Sequence, residues 1–107
     1  MLARLPTREE DTMAIGLRIK MDGGTQEMYD AVDAQLGVEA DPPEGLILHS
    51  AGPIEDGWGI IDFWESREHF DRFSESRLGP AIASLGDEGP GGPPDIKEFP
   101  VHKIIKP

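Results

Sequence analysis

The sequence predicts an α+β domain of the ferredoxin-like kind: a βαββαβ chain with a four-stranded antiparallel sheet in the order 4-1-3-2 and two helices on one face. Three observations predict it. Apolar runs of strand length and apolar stripes at helical spacing follow one another as strand, helix, strand, strand, helix, strand. That order is the split βαβ pattern, whose two crossovers are right-handed. The last apolar run also contains Pro100, which confines it to a sheet edge, the place strand four takes in this topology.

Residues 1–12 hold Pro6 and the acidic Glu9-Glu10-Asp11 cluster and read as a disordered arm, with residues 13–107 as the single domain. Met13 opens the first patterned run and is a candidate start of translation. The first strand is Met13–Met21, with Ile15, Leu17 and Ile19 on one face and Gly16, Arg18 and Lys20 on the other. Asp22-Gly23-Gly24 breaks it, and Thr25 is suited to cap a helix. That helix, Gln26–Leu36, carries Met28, Tyr29, Val32 and Leu36 as its apolar stripe and meets a C-cap glycine at Gly37. Val38–Glu44 connects, because Pro42-Pro43 suits neither a helix nor a ladder.

The second strand is expected at Leu46–Ala51, closed by Gly52-Pro53, and the third at Trp58–Trp64 after a turn at Glu55-Asp56-Gly57. A turn this short makes the two an antiparallel hairpin. Counting back from it sets His49 opposite Asp62 and Ile47 opposite Trp64. Ser66 caps the second helix, and Glu68 in its first turn complements the helix dipole. Phe70, Phe73, Leu78, Ile82 and Leu85 form its apolar face. Gly79-Pro80 predicts a kink, or a break with Pro80 opening a new turn, and Gly86 predicts the end. Asp87–Pro94 is a mobile loop by composition, and the last strand is expected over Ile96–Ile105.

At 107 residues the chain suits one hydrophobic core. A formal charge of −11 argues against a nucleic-acid or anionic-membrane surface as a partner. The absence of cysteine removes disulfides and thiolate chemistry. No apolar run approaches the roughly 20 residues of a membrane helix, and the amino end lacks a signal-peptide pattern, so a cytoplasmic location is expected. The strands are apolar on both faces, as at Ile60-Ile61 and at Val101, Ile104 and Ile105, yet helices cover only one. A second copy of the chain is the expected cover for the other.

The stretch HSAGPIEDGWGIIDFWESREHFDRF, with the element order and sizes over residues 13–107, resembles the dimeric α/β-barrel superfamily, in particular small antibiotic-biosynthesis-monooxygenase-like proteins. The resemblance implies a homodimer whose sheets form a shared barrel, with a ligand cavity between each sheet and its helices. It spans cofactor-independent oxygenases, haem-degrading enzymes, lactone isomerases and members with no known activity. Two departures matter. The haem-degrading members and the cofactor-independent oxygenases rely on an asparagine, and this chain has none. The helical histidine, His69, opens its helix, whereas a haem ligand belongs late in one. No cofactor is therefore expected.

His49 and Asp62 are the sharpest catalytic candidates. A carboxylate that accepts one imidazole N–H fixes the tautomer and raises the basicity of the other nitrogen, giving a base for a phenolic or enolisable substrate. The plainer alternative is an interior polar pair, or two groups that both touch solvent near the barrel rim. Trp64, Trp58 and Tyr29 suit a flat apolar ligand, as does Phe70, although helical spacing also makes Phe70 and Phe73 core residues. His102 in the last strand is a candidate for the cavity lining or for the dimer interface, and Arg18 is a candidate anchor for an anionic substrate, although a salt bridge explains it as well. The three histidines sit on separate elements without metal-ligand spacing, so no metal site is expected. The functional readings are a cofactor-independent monooxygenase-like enzyme or isomerase, a non-catalytic small-ligand-binding or stress-response dimer, and a dimer serving as an assembly subunit. Parity puts His49, Asp62 and Trp64 on one side of the hairpin but leaves open whether that side meets the helices or the partner.

Overall fold

Thr25 and Gly37 bound the first helix in the computed structural model, which describes residues 14–107; the expected arm and the Met13 start lie outside the described residues. The Thr25 Oγ1 accepts the Met28 N–H at 3.1 Å, and Gly37 takes the left-handed conformation that returns its N–H to the Asp33 carbonyl. Around this helix, α1 (Gln26–Leu36), the chain runs β1 (Ile15–Asp22), α1, β2 (Leu46–Ile54), β3 (Gly57–Trp64), α2 (Arg67–Phe73), α3 (Gly79–Leu85) and β4 (Asp95–Pro100). The sheet order is β2-β3-β1-β4 with antiparallel neighbours, which is the expected 4-1-3-2 read from the other edge.

The Gly79-Pro80 interruption takes a specific form. Pro80 has no N–H to give the Ser76 carbonyl, and its ring crowds that carbonyl. The helix widens just before it into a π-helical turn, Ser74–Leu78, in which the Gly79 N–H reaches the Ser74 carbonyl. Backbone angles stay right-handed helical on both sides, so the path continues without a break.

Several boundaries differ from expectation; β1 runs on through Asp22, and β4 starts at Asp95. β2 does not close at Ala51 but runs through Gly52-Pro53 to Ile54, since it is an edge strand where a residue lacking an N–H is tolerated. The hairpin loop shrinks to Glu55-Asp56, and Gly57 already pairs with Asp22, so close to β1 that a Cβ there would strike the Met21 carbonyl. His49 lies opposite Asp62 as expected, but Leu46 rather than Ile47 faces Trp64, because an irregularity between Leu46 and Leu48 adds a residue to β2. β4 ends at Pro100 rather than Ile105. Pro100 pairs with Ile15, the first residue of β1, and beyond it, among the described residues, one Val101 N–H reaches the Ala14 carbonyl.

The core lies between the sheet and the helices. Ile15, Leu17 and Ile19 of β1, Trp64 of β3 and Phe70 of α2 form it, with Leu46, Ile60, Phe73 and Ile96 packed around them. The period-two alternation sends the neighbours of these residues to the opposite face. There Leu48, Ile61 and Phe99 are 56%, 44% and 43% exposed. The Phe99 ring lies directly over Gly16, in space a side chain on that residue would need, and meets Phe63 edge-on.

Candidate functional site

Directly opposed residues of an antiparallel pair hold their Cβ atoms about 4.5–5.5 Å apart, so even a short polar side chain spans the gap. His49 of β2 and Asp62 of β3 are such a pair, and His49 Nδ1 lies 2.6 Å from Asp62 Oδ1. β3 is an interior strand, and Asp62 is only 5% exposed. A carboxylate so buried needs partners for both oxygens. The second comes from Trp64, two residues on and therefore on the same face, whose Nε1–H donates to Asp62 Oδ2 at 3.2 Å. From the helix above, Tyr29 of α1 brings its hydroxyl to 2.6 Å from His49 Nε2.

The proton positions follow from chemistry. The Asp62 carboxylate accepts, so His49 Nδ1 carries hydrogen; neutral imidazole then presents Nε2 as an acceptor, and the Tyr29 O–H donates to it. The result is a continuous series, Tyr29 to His49 to Asp62, closed behind by Trp64. The hydrogen bond to Asp62 raises the His49 pKa above its ordinary 6.5, with partial burial opposing and the Asp62 and Asp33 charges adding to the rise. Burial raises the Tyr29 pKa above its ordinary 10.0, and the negative charges of Asp33, Asp62 and Asp30 add to it.

His49, Asp62, Trp64 and Tyr29 all lie on the helix side of the sheet. Trp58 joins them through Tyr29, their rings 5.4 Å apart, and its indole Nε1–H is buried without an acceptor among the described residues. Phe70 packs edge-on to Trp64 at 5.6 Å and belongs to the core, one ring removed from the polar series. Arg18 pairs across the ladder with Ile61 and Lys97 on the opposite sheet face, away from His49. His102 is exposed beyond the end of β4, in no regular element. His69 stays at its helix start, where its ring nitrogen meets the capping Ser66 hydroxyl at 2.6 Å.

The role sequence reasoning missed is that of Tyr29. Its place in the stripe of α1 marked it as an aromatic wall, because the azimuth of a helix over a sheet is not written in helical spacing. The available signal was that it is the chain's only tyrosine and the one hydroxyl-bearing residue of that stripe.

Between the sheet and the helices beside this series, core side chains are packed. Trp64, 1% exposed, is packed against Phe70 and Phe73 there. A cleft of about 860 Å³ opens elsewhere, between the β1–α1 turn and residues 87–93. A groove of about 540 Å³ crosses the open sheet face beside Arg18, Lys20, Ile54 and Lys97. Neither is lined by His49, Asp62, Tyr29 or Trp64. His49 instead keeps 31% of its side chain exposed at the sheet's edge, so the series is approached from solvent. Among the described residues no group of three or more His, Asp or Glu is placed to hold a metal ion, and no helix is long and apolar enough to cross a membrane.

No protein-family model matches the sequence, and no curated protein matches it. Solved structures do. A Caulobacter crescentus protein provisionally assigned as an antibiotic biosynthesis monooxygenase superimposes with a TM-score of 0.65 at 16% identity, over 85% of this chain and 92% of that one. A protein of unknown function from Nitrosomonas europaea gives 0.64 at 12% identity, over 89% and 95%. A variant of SnoaB, a cofactor-independent oxygenase from Streptomyces nogalater, gives 0.58 at 12% identity, over 87% and 96%. The chain therefore has the ferredoxin-like fold of antibiotic-biosynthesis-monooxygenase-like proteins. At such identities the likeness is one of fold, and a fold hosts many reactions.

Proposed function

We propose that this chain is a cofactor-independent, monooxygenase-like enzyme acting on an aromatic or enolisable small molecule, with the His49–Asp62 pair as its base, and that it works as a homodimer. The observation that carries the reading is the unbroken hydrogen-bonded series from Tyr29 through His49 to Asp62. Asp62 orients the imidazole and stabilises the imidazolium that forms when a proton arrives, and Trp64 holds the carboxylate in place. A base so positioned contributes about 10²–10⁴-fold to a proton abstraction. The carbanion left behind gives an electron to dioxygen, the pair recombines as a peroxide, and loss of water leaves a ketone, with no cofactor required. SnoaB lends support as a cofactor-independent oxygenase on this fold.

The homodimer rests on the open sheet face. Leu48, Ile54, Ile61 and Phe99 are exposed there, and a second copy would remove them from water. The test of the reaction uses anthrone, a flat ketone that is both aromatic and enolisable. One anthrone and one dioxygen should give one anthraquinone and one water, with His49→Ala slower by 10²-fold or more. A His49→Ala protein that oxidises anthrone at the wild-type rate would sink the base reading.

A second reading is a small-ligand-binding dimer without turnover. It is favoured by the aromatic surface gathered around a partly exposed histidine, with Tyr29 stacked on His49 and Trp58 5.4 Å from Tyr29. Anthrone bound with no uptake of dioxygen would select it.

A further inference from the structure

We infer that Tyr29 is the catalytic residue that meets the substrate's proton, with His49 and Asp62 acting behind it; the inference rests on the base reading above and names the atom through which that base works. His49 has no free nitrogen. Nδ1 is held by Asp62 and Nε2 by the Tyr29 hydroxyl, each at 2.6 Å. Both Asp62 oxygens are also engaged, by His49 and by Trp64. A phenolic oxygen that donates its hydrogen still has lone pairs to accept one. Tyr29 Oη is therefore the acceptor at the outer end of the series.

The surroundings fit this role. Tyr29 contacts both the His49 ring, nearly parallel at 8°, and the Trp58 ring, 5.4 Å away. Its hydroxyl is held toward Nε2 by the hydrogen bond, and its ring is steadied by these two ring contacts. In the step itself, the substrate C–H bond breaks and its proton bonds to Tyr29 Oη. The Tyr29 O–H bond breaks at the same time, and that hydrogen bonds to His49 Nε2. The substrate keeps the electron pair as an enolate, and an imidazolium faces the Asp62 carboxylate. Tyr29 ends as it began, a neutral phenol. Burial and the nearby Asp33 and Asp62 charges oppose a phenolate, so passing one proton on while receiving another is the route this environment favours.

The test is deuterium uptake at the methylene carbon of anthrone in heavy water without dioxygen, which reads proton abstraction apart from oxygenation. The full chain is compared with Tyr29→Phe and His49→Ala. Tyr29→Phe should lose at least about 10²-fold of the catalysed exchange. Nitrogen-15 spectra of the variant should still show His49 protonated at Nδ1 against Asp62, which separates a chemical loss from misfolding. The wild-type rate should fall as pH drops through the His49 titration, and any residual rate in Tyr29→Phe should no longer follow it. A Tyr29→Phe protein that exchanges at the wild-type rate, or whose slower rate still tracks His49, would overturn the inference while leaving His49 as the base. Wild-type exchange no faster than buffer, or undiminished in His49→Ala, would instead remove the base reading and this inference with it.

Discussion

His49 and Asp62 face each other across the β2–β3 ladder with 2.6 Å between Nδ1 and Oδ1, and this pairing is the main influence on how tightly His49 holds a proton. The hydrogen bond to Asp62 is the largest cause of the raised His49 pKa, and burial is the only cause that opposes it. In Asp62→Asn the carboxylate charge goes and the burial stays. The His49 pKa should therefore fall below its wild-type value. Titration of the imidazole by NMR checks this; an unchanged His49 would mean that the pair does not form in solution.

The same shift makes stability depend on pH, and its sign is fixed. A group whose native pKa is raised binds its proton more tightly when folded. The contribution of His49 is then fully present below the unfolded value, near 6.5, and is lost as pH rises through the higher native value. Urea denaturation of wild type and Asp62→Asn across that window should show the gap in stability narrowing as pH increases. A gap that widens would contradict the assignment.

The hairpin shows how much of this was legible. Alternation along Leu46–Trp64 was enough to place His49, Asp62 and Trp64 on one face, because the period of a strand is rigid. It was not enough to foresee the irregularity at Leu46/Leu48, which adds a residue without leaving a mark in composition. Pro100 marks its strand as an edge strand, but the apolar run through Ile105 overstates the strand's length, because ladder pairing and not composition decides where a strand ends. The face the site residues share and the reach of Tyr29 both depend on how the helices lie over the sheet. Helical spacing gives which residues of α1 are apolar, and it is silent on which strand residue each one meets.

Trp64 joins the core to the site, so truncating it should disturb both. It is 1% exposed, packs on Phe70 and Phe73, and donates to the buried Asp62. Trp64→Ala should lower stability by about 3–5 kcal/mol from cavity and transfer effects. Trp64→Phe keeps much of the volume but removes the N–H, leaving one Asp62 oxygen without its partner at a cost of about 1–3 kcal/mol. Urea midpoints of the two variants, with an unchanged denaturant slope, measure these losses. A Trp64→Phe protein as stable as wild type would show that Asp62 Oδ2 is satisfied by another donor.

The open face of the sheet gives the last prediction. Ile61 is 44% exposed in the isolated chain, pairs with Arg18 and Ser50 on its neighbouring strands, and sits on the face that carries Leu48 and Phe99. In a dimer built on this face, a lysine at position 61 would bring a charge into a contact from which water is excluded, beside Arg18 and Lys97 on the same face. Within one subunit the same lysine meets solvent, so the fold should tolerate it within about 0.5 kcal/mol. Sedimentation equilibrium should find wild type dimeric and Ile61→Lys shifted toward monomer, with the circular dichroism of the two alike. The charge at the interface also makes the effect depend on salt, whose screening should restore part of the association. An Ile61→Lys protein as dimeric as wild type would place the interface elsewhere, and the exposed Leu48–Phe99 face would then need another cover.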